Sequence, residues 1–265
     1  MRRKRSRIRG WVLGVAFVLG FVAMFGAPAY AAISAGGGGE PLRIILRVHD
    51  YAGVPPGILA DGFVETARVL HLAGIEMRVL VKDYTAAPRG PFDGYWSRVA
   101  KKLRRAGLQT DLVDCAHSVS AIGGDPDCQR TDAAVLVMSI VSCGMMPKYG
   151  LPSGFFGLAS TQSDDIGPLT YAVVFYPRIE EFCEDQGVPR PLLLGLAVAH
   201  ELGHLLLGMN SHASSGLMRG RWVASDLCST CRAKWVFTSE QSEMLRTEVR
   251  ARTDQRKIKC EASPP

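Results

Sequence analysis

The first 31 residues contain no acidic side chain, no cysteine occurs before Cys115, and past Ile33 no apolar run is long enough to cross a bilayer. Each absence excludes something. Without carboxylates near the start, six cations (Arg2, Arg3, Lys4, Arg5, Arg7 and Arg9) stand uncompensated and account for the whole formal charge of +6. Removing those six from the 31 Lys+Arg leaves 25 against 25 Asp+Glu, so the body is formally neutral. A neutral body offers phosphate no broad electrostatic grip, which excludes nucleic acid as the main partner. The apolar runs at 133–142 and 191–207 are shorter than a membrane helix needs, which excludes a multi-pass intramembrane protein. With 265 residues, 47% hydrophobic and 21% charged, the chain is not disordered, collagenous or a small disulfide scaffold.

The basic run is followed by the uncharged stretch Trp11–Gly26 and by Ala27-Pro28-Ala29-Tyr30-Ala31-Ala32. A basic segment, an apolar segment and Ala-x-Ala read as a secretory signal over residues 1–31, with cleavage after Ala31. An uncleaved anchor is the alternative, because the uncharged residues continue through Ile33, and residues 11–34 would then tether the protein to the membrane. Either way the body is expected outside the cytoplasm, secreted or periplasmic, or membrane-anchored. Residues 32–41, with Gly36–Gly39, read as a flexible leader into one domain over 42–265. All seven Cys fall in the exported part, where disulfides are permitted. Cys115/Cys128 and Cys228/Cys231 are the closest pairs, but spacing does not fix connectivity and an odd number leaves one over. A second metal site at Cys228-x-x-Cys231 is the weaker reading, since only two ligands are close and the compartment oxidises thiols.

Along the body, Leu42–His49 reads as a strand. Pro55-Pro56 opens a helical pattern through Ile58, Leu59, Phe63, Val64, Ala67 and Leu70, with Gly74 in the C′ role. Ile75–Val81 returns as a strand. The phrase recurs as a helix over Tyr95–Ala106, a stop at Gly107 and a strand over Leu108–Val113; Lys101, Lys102, Arg104 and Arg105 form its solvated face. Residues 116–132 read as loop and Ala133–Val141 as a buried central strand. Phe155–Ser160 and Thr170–Tyr176 read as short strands either side of a polar turn at Ser163-Asp164-Asp165, before a charged segment, Arg178–Asp185. Thr238-Ser239-Glu240-Gln241 is a capping-box phrase opening a helix to about Arg252, with an exposed, frayed basic tail beyond. The expected class is α+β, a mixed twisted sheet with packed helices and a small C-terminal subdomain ending in a helix.

The most informative helix starts at Pro191 and runs through Leu192–Ala199 into His200-Glu201-Leu202-Gly203-His204. It is apolar nearly all round and hence buried, and three ionisable residues inside it are costly unless satisfied. His200 and His204 are four apart, which places both imidazoles on one face about 6 Å apart along the axis, a spacing that lets them hold one ion. Glu201 lies beside them and is placed to take a proton from water held there rather than to occupy a coordination position. Two ligands do not complete a catalytic zinc site, and the next candidate is His212, followed by Gly216-Leu217-Met218. Half of the six His lie within the thirteen residues 200–212.

This segment resembles the metzincin branch of the zincin metallopeptidases, in which His-Glu-x-x-His is extended by a Gly turn and a third His, with a Met-containing turn under the zinc. It looks most like small exported bacterial proteins of unassigned substrate. The resemblance implies Zn²⁺ held by His200, His204 and His212, Glu201 as general base, Met218 as the structural Met-turn residue, and a zincin-like fold that hydrolyses a peptide or protein substrate. It further implies that Phe155–Ser160 is an edge strand able to pair with an extended peptide. The specific motifs cover residues 198–218. The chain departs from the usual pattern in spacing: Gly and third His follow in steps of four (204 to 208, 208 to 212) rather than three. Neither a propeptide Cys-switch nor a Tyr shortly after the Met-turn is visible. Two other readings stay open: a zincin of another class, with Glu240 or Glu243 as third ligand, and a secreted or anchored zinc-binding module without activity. An intact Glu201 argues against the module, because a structural site has no use for a base beside an open position.

Overall fold

The computed structural model describes residues 41–83, 94–114, 132–149, 154–164 and 167–261. The expected signal, the leader up to residue 40, Cys115, Cys128 and the expected loop as far as residue 131 lie outside the described residues. Among the described residues no helix is long and apolar enough to cross a membrane.

Two successive strand-helix-strand units open the fold: β1 (Leu42–Asp50), α1 (Pro56–Leu72), β2 (Ile75–Asp83), α2 (Tyr95–Arg105) and β3 (Thr110–Asp114). With β4 (Ala134–Val141), β5 (Gly157–Asp164) and β6 (Gly167–Phe175) they build a six-stranded sheet of order β3-β2-β1-β4-β6-β5. All neighbours are parallel except β5, which runs antiparallel to β6 at the end of the sheet. Three helices follow: α3 (Tyr176–Gln186), α4 (Arg190–Leu207) and α5 (Ser239–Glu261). A mixed sheet with helices is the α+β arrangement expected from the sequence.

Strand alternation decides where the helices go. Successive side chains point to opposite faces, and the register pairs Leu46 with Leu136. Ile44, Leu46 and Val48 therefore share a face with Leu136, Met138 and Ile140. This face forms one core with Phe63 of α1, Leu103 of α2, Leu193 of α4 and Leu245 of α5. Each such full burial contributes about 1.5–3 kcal/mol. Among the described residues the opposite face carries two small clusters, one around Ile45 and Leu80 and one around Val173 and Phe175. The apolar helix α4 thus lies against the sheet face next to β5 and β6.

Three expectations are corrected. The charged segment Arg178–Asp185 is part of helix α3, whose buried stripe of Tyr176, Ile179 and Cys183 is masked in the sequence by the carboxylates between. No turn begins at Ser163: β5 continues to Asp164, paired with Gly167 of β6. The C-terminal helix does not stop near Arg252. It reaches Glu261, as no Gly or Pro interrupts it and Arg252 anchors it by donating to the Leu205 carbonyl at 2.6 Å. Its start is the reciprocal cap expected: Gln241 N–H donates to Thr238 Oγ1 at 3.1 Å, and Thr238 N–H donates to Gln241 Oε1 at 3.0 Å.

Candidate metal centre and cleft

Helix α4 begins with Pro191 in its first turn and is buried from Leu192 through Leu206. His200, Glu201 and His204 are only 8%, 6% and 5% exposed. One helical turn brings the His200 and His204 ring centroids to 4.7 Å. The helix then ends where the sequence places a glycine. Gly208 N–H closes the last turn on the His204 carbonyl at 3.0 Å, and its φ of 93° with ψ of 166° turns the chain out of the helix. This is an extended conformation of positive φ, open essentially to glycine alone. The chain reverses and returns His212, its ring centroid 4.7 Å from that of His204 and 5.4 Å from that of His200. The four-residue spacing therefore brings the third imidazole back to the first two.

The three rings meet nitrogen to nitrogen. Nε2 of His204 lies 3.1 Å from Nε2 of His200 and 3.1 Å from Nε2 of His212. Their far sides fix which nitrogen holds the proton. His200 Nδ1 is 2.9 Å from the Leu217 carbonyl, which can only accept, so Nδ1 donates and Nε2 keeps a bare lone pair. His204 Nδ1 faces the Ser211 hydroxyl at 3.1 Å and the Gly208 carbonyl at 3.4 Å, which orients its Nε2 in the same way. Lone pairs aimed at each other repel, and a cation among them removes the repulsion. Two nitrogens on a tetrahedral zinc with bonds of 2.0–2.1 Å stand about 3.3 Å apart, close to the spacing found. Burial pushes the His200 imidazole down to about 4 and lowers that of His204 too, so both are neutral, the form that binds metal, at neutral pH. The three His can hold a metal ion, all ligand atoms lying within 4.8 Å of one another.

Glu201 sits beside this cluster with no hydrogen bond among the described residues, and burial pushes its carboxyl up to about 8. It lines the same cleft of about 470 Å³ as the three His, and its side chain packs directly over Gly157, the first residue of β5. Met218 is fully buried beneath the centre. A β-carbon on Gly203, between His200 and His204, would stand 2.5 Å from the Met218 sulfur, so the thioether rests on the helix backbone itself. The adjoining Leu217 carbonyl is the one that orients His200. His200, Glu201, His204, His212 and Met218 are thus gathered here. Glu240 and Glu243 are not: both are exposed on α5, where Glu243 pairs with Arg246. Cys228 and Cys231 form a disulfide with each other, and the described free thiols are the exposed Cys143 and the buried Cys183.

Four features escaped the sequence. Gly157, the Leu217 carbonyl and Trp222, whose ring meets His200 edge-on at 5.3 Å, act only through tertiary contact and leave no local signal. Ser211 had a weak one, a hydroxyl next to the candidate ligand His212. An aromatic floor leads away from the centre, with Trp222 centred 6.0 Å from Phe156 and Phe156 centred 5.2 Å from Phe182 of α3. Comparison of the chain with protein-family models and with curated proteins returns no match.

Proposed function

We propose that the chain is an exported zinc-dependent endopeptidase of zincin type, with His200, His204 and His212 as ligands, Glu201 as general base and Met218 as the Met-turn residue. The observation that carries this reading is the convergence of three imidazoles, those of His200 and His204 with Nε2 bare, next to a buried carboxyl without a partner among the described residues in an open cleft. Zinc bound there supplies Lewis acidity toward a carbonyl oxygen and brings the pKa of coordinated water toward ~7. The protein does the rest. In its ionised form, which a cation held by the adjacent imidazoles would favour against the cost of burial, Glu201 would accept a proton from the attacking water and pass it to the leaving amine, and no hydrogen bond among the described residues ties it down. The Leu217 carbonyl and Ser211 hold the imidazoles in the ligating tautomer. β5 ends the sheet beside the cleft, and an extended peptide paired with its outer edge would lie across the centre. The Cys228–Cys231 disulfide supports a compartment that oxidises thiols, in keeping with export through residues 1–31 or tethering by residues 11–34.

Elemental analysis of the purified protein, together with peptide-library cleavage by the wild type and by Glu201→Gln, tests the reading. Near-stoichiometric zinc in both proteins, with hydrolysis lower by at least ~10²-fold in the variant, is the expected result. Zinc without Glu201-dependent cleavage would favour a non-catalytic zinc module. No zinc in the folded, unchelated protein would remove the reading altogether.

A further inference from the structure

Helix α3 carries four carboxylates on two faces, and the two faces are treated differently. Glu180 and Glu184 are both bonded to Arg190. Glu181 and Asp185, also one turn apart, line the cleft and have no ion pair or hydrogen bond among the described residues. Like charges at this spacing repel along a helix, so the arrangement disfavours the free protein and favours a cation placed between them. Two of the three arginines that share the cleft are committed to other partners. Arg178 donates to the Phe155 carbonyl at 2.8 Å and covers the Phe175 ring, and Arg219 is paired with Asp226 at 2.7 Å. Arg221, exposed on the 219–222 segment, lines the same cleft from the side of Trp222. A second sign of a ligand is Glu201, buried, without a partner among the described residues and opening into the same cleft.

We propose that the α3 wall makes the cleft selective for peptides bearing a Lys or Arg side chain, its charged head between Glu181 and Asp185 and its aliphatic stem along Phe182 and Phe156. Long basic side chains lay their methylenes on apolar surface while keeping the charge in polar surroundings, which is what an aromatic floor under an acidic wall provides. This rests on the peptidase reading and narrows its substrate class.

The test uses the full exported chain and a neutral fluorogenic peptide through which a single Arg, or its uncharged isostere citrulline, is moved position by position. Cleavage is measured with the wild type and binding with Glu201→Gln, followed by anisotropy of labelled peptides. At one position Arg should be preferred over citrulline by about tenfold at low salt, in kcat/KM and in affinity, with the preference shrinking as salt rises. In the double variant Glu181→Gln/Asp185→Asn the preference should fall below about twofold, and Glu181→Lys/Asp185→Lys should reverse it. Glu180→Gln/Glu184→Gln removes the same charge from the opposite face and should leave the ratio in place. Cleavage with equal rates for Arg and citrulline at every position would overturn the selectivity while leaving the peptidase reading intact, as would a preference that survives in the Glu181/Asp185 variant. Binding that depends on Glu181 and Asp185 without any hydrolysis would uphold the selectivity and sink the peptidase reading. Failure of both binding and cleavage would sink both.

Discussion

Gly157 and Glu201 occupy one space: a β-carbon on Gly157 would lie 2.6 Å from both Cγ and Oε1 of Glu201. The first residue of the edge strand must lack a side chain for the carboxyl of α4 to reach the cleft. Gly157→Ala should therefore displace the Glu201 carboxylate without touching any imidazole. The expected outcome is retained zinc with kcat lower by about 10²-fold, the scale of a misplacement near 1 Å. Parallel metal analysis and steady-state kinetics check it, and unchanged kcat would mean that Glu201 does not act from this position.

The third ligand separates the competing zinc sites. His212→Ala should weaken zinc by orders of magnitude in a competitive-chelator titration and abolish hydrolysis, since two imidazoles from one helical turn leave the ion poorly held. Glu240→Ala and Glu243→Ala should leave zinc in place, as neither carboxylate reaches the cluster and Glu243 is paired with Arg246. Zinc lost from either Glu variant would reassign the site to a carboxylate class.

Much of this arrangement is legible along the chain, because it follows from local rules. The first strand-helix-strand unit and the boundaries of α4 follow from apolar periodicity, Pro at helix starts and Gly at stops. The His200/His204 spacing is helical geometry, and the return of His212 follows from a glycine placed to end the helix. Helix α3 was hidden because its buried stripe is only three residues wide among five charged ones, and composition outweighed period. The far end of α5 was hidden because its anchor is Arg252 reaching a carbonyl of α4, which no local pattern encodes. Gly157 reads as an ordinary strand boundary until the fold brings Glu201 over it.

Met218 and Gly203 make a further close approach, with the thioether sulfur resting where a Gly203 side chain would be. Gly203→Ala should lower stability by about 1–3 kcal/mol, the usual cost of an extra methyl in a packed core. Met218→Leu, which nearly conserves volume, should cost under about 1.5 kcal/mol. Denaturant unfolding of the zinc-free proteins measures both. A neutral Gly203→Ala would show that the turn under the helix is loosely packed.

The last prediction concerns acid stability, and it centres on Glu65, a buried carboxylate of α1. Burial by itself raises its pKa, but hydrogen bonds from Arg68, one at 2.8 Å, and from Arg232 outweigh burial and leave the pKa below the ordinary 4.5. Arg232 belongs to the turn Ser229–Lys234, and Trp235 after it packs at 5.0 Å on Trp222, the ring that meets His200. The ion pair thus fastens to α1 the turn that leads to the aromatic support of the centre. A carboxylate whose folded pKa is depressed binds fewer protons in the folded state than in the unfolded one between the two values. Its contribution is therefore complete above the unfolded value and lost as pH falls through the folded one. Glu65→Gln should cost about 1–3 kcal/mol at pH 7, toward the lower end because Arg68 and Arg232 are partly exposed and regain water. That difference from the wild type should shrink as pH falls below 4.5, with both proteins unfolded by urea at each pH. A gap that stays constant or widens on acidification would show that Glu65 is not held as a charged partner of the two arginines.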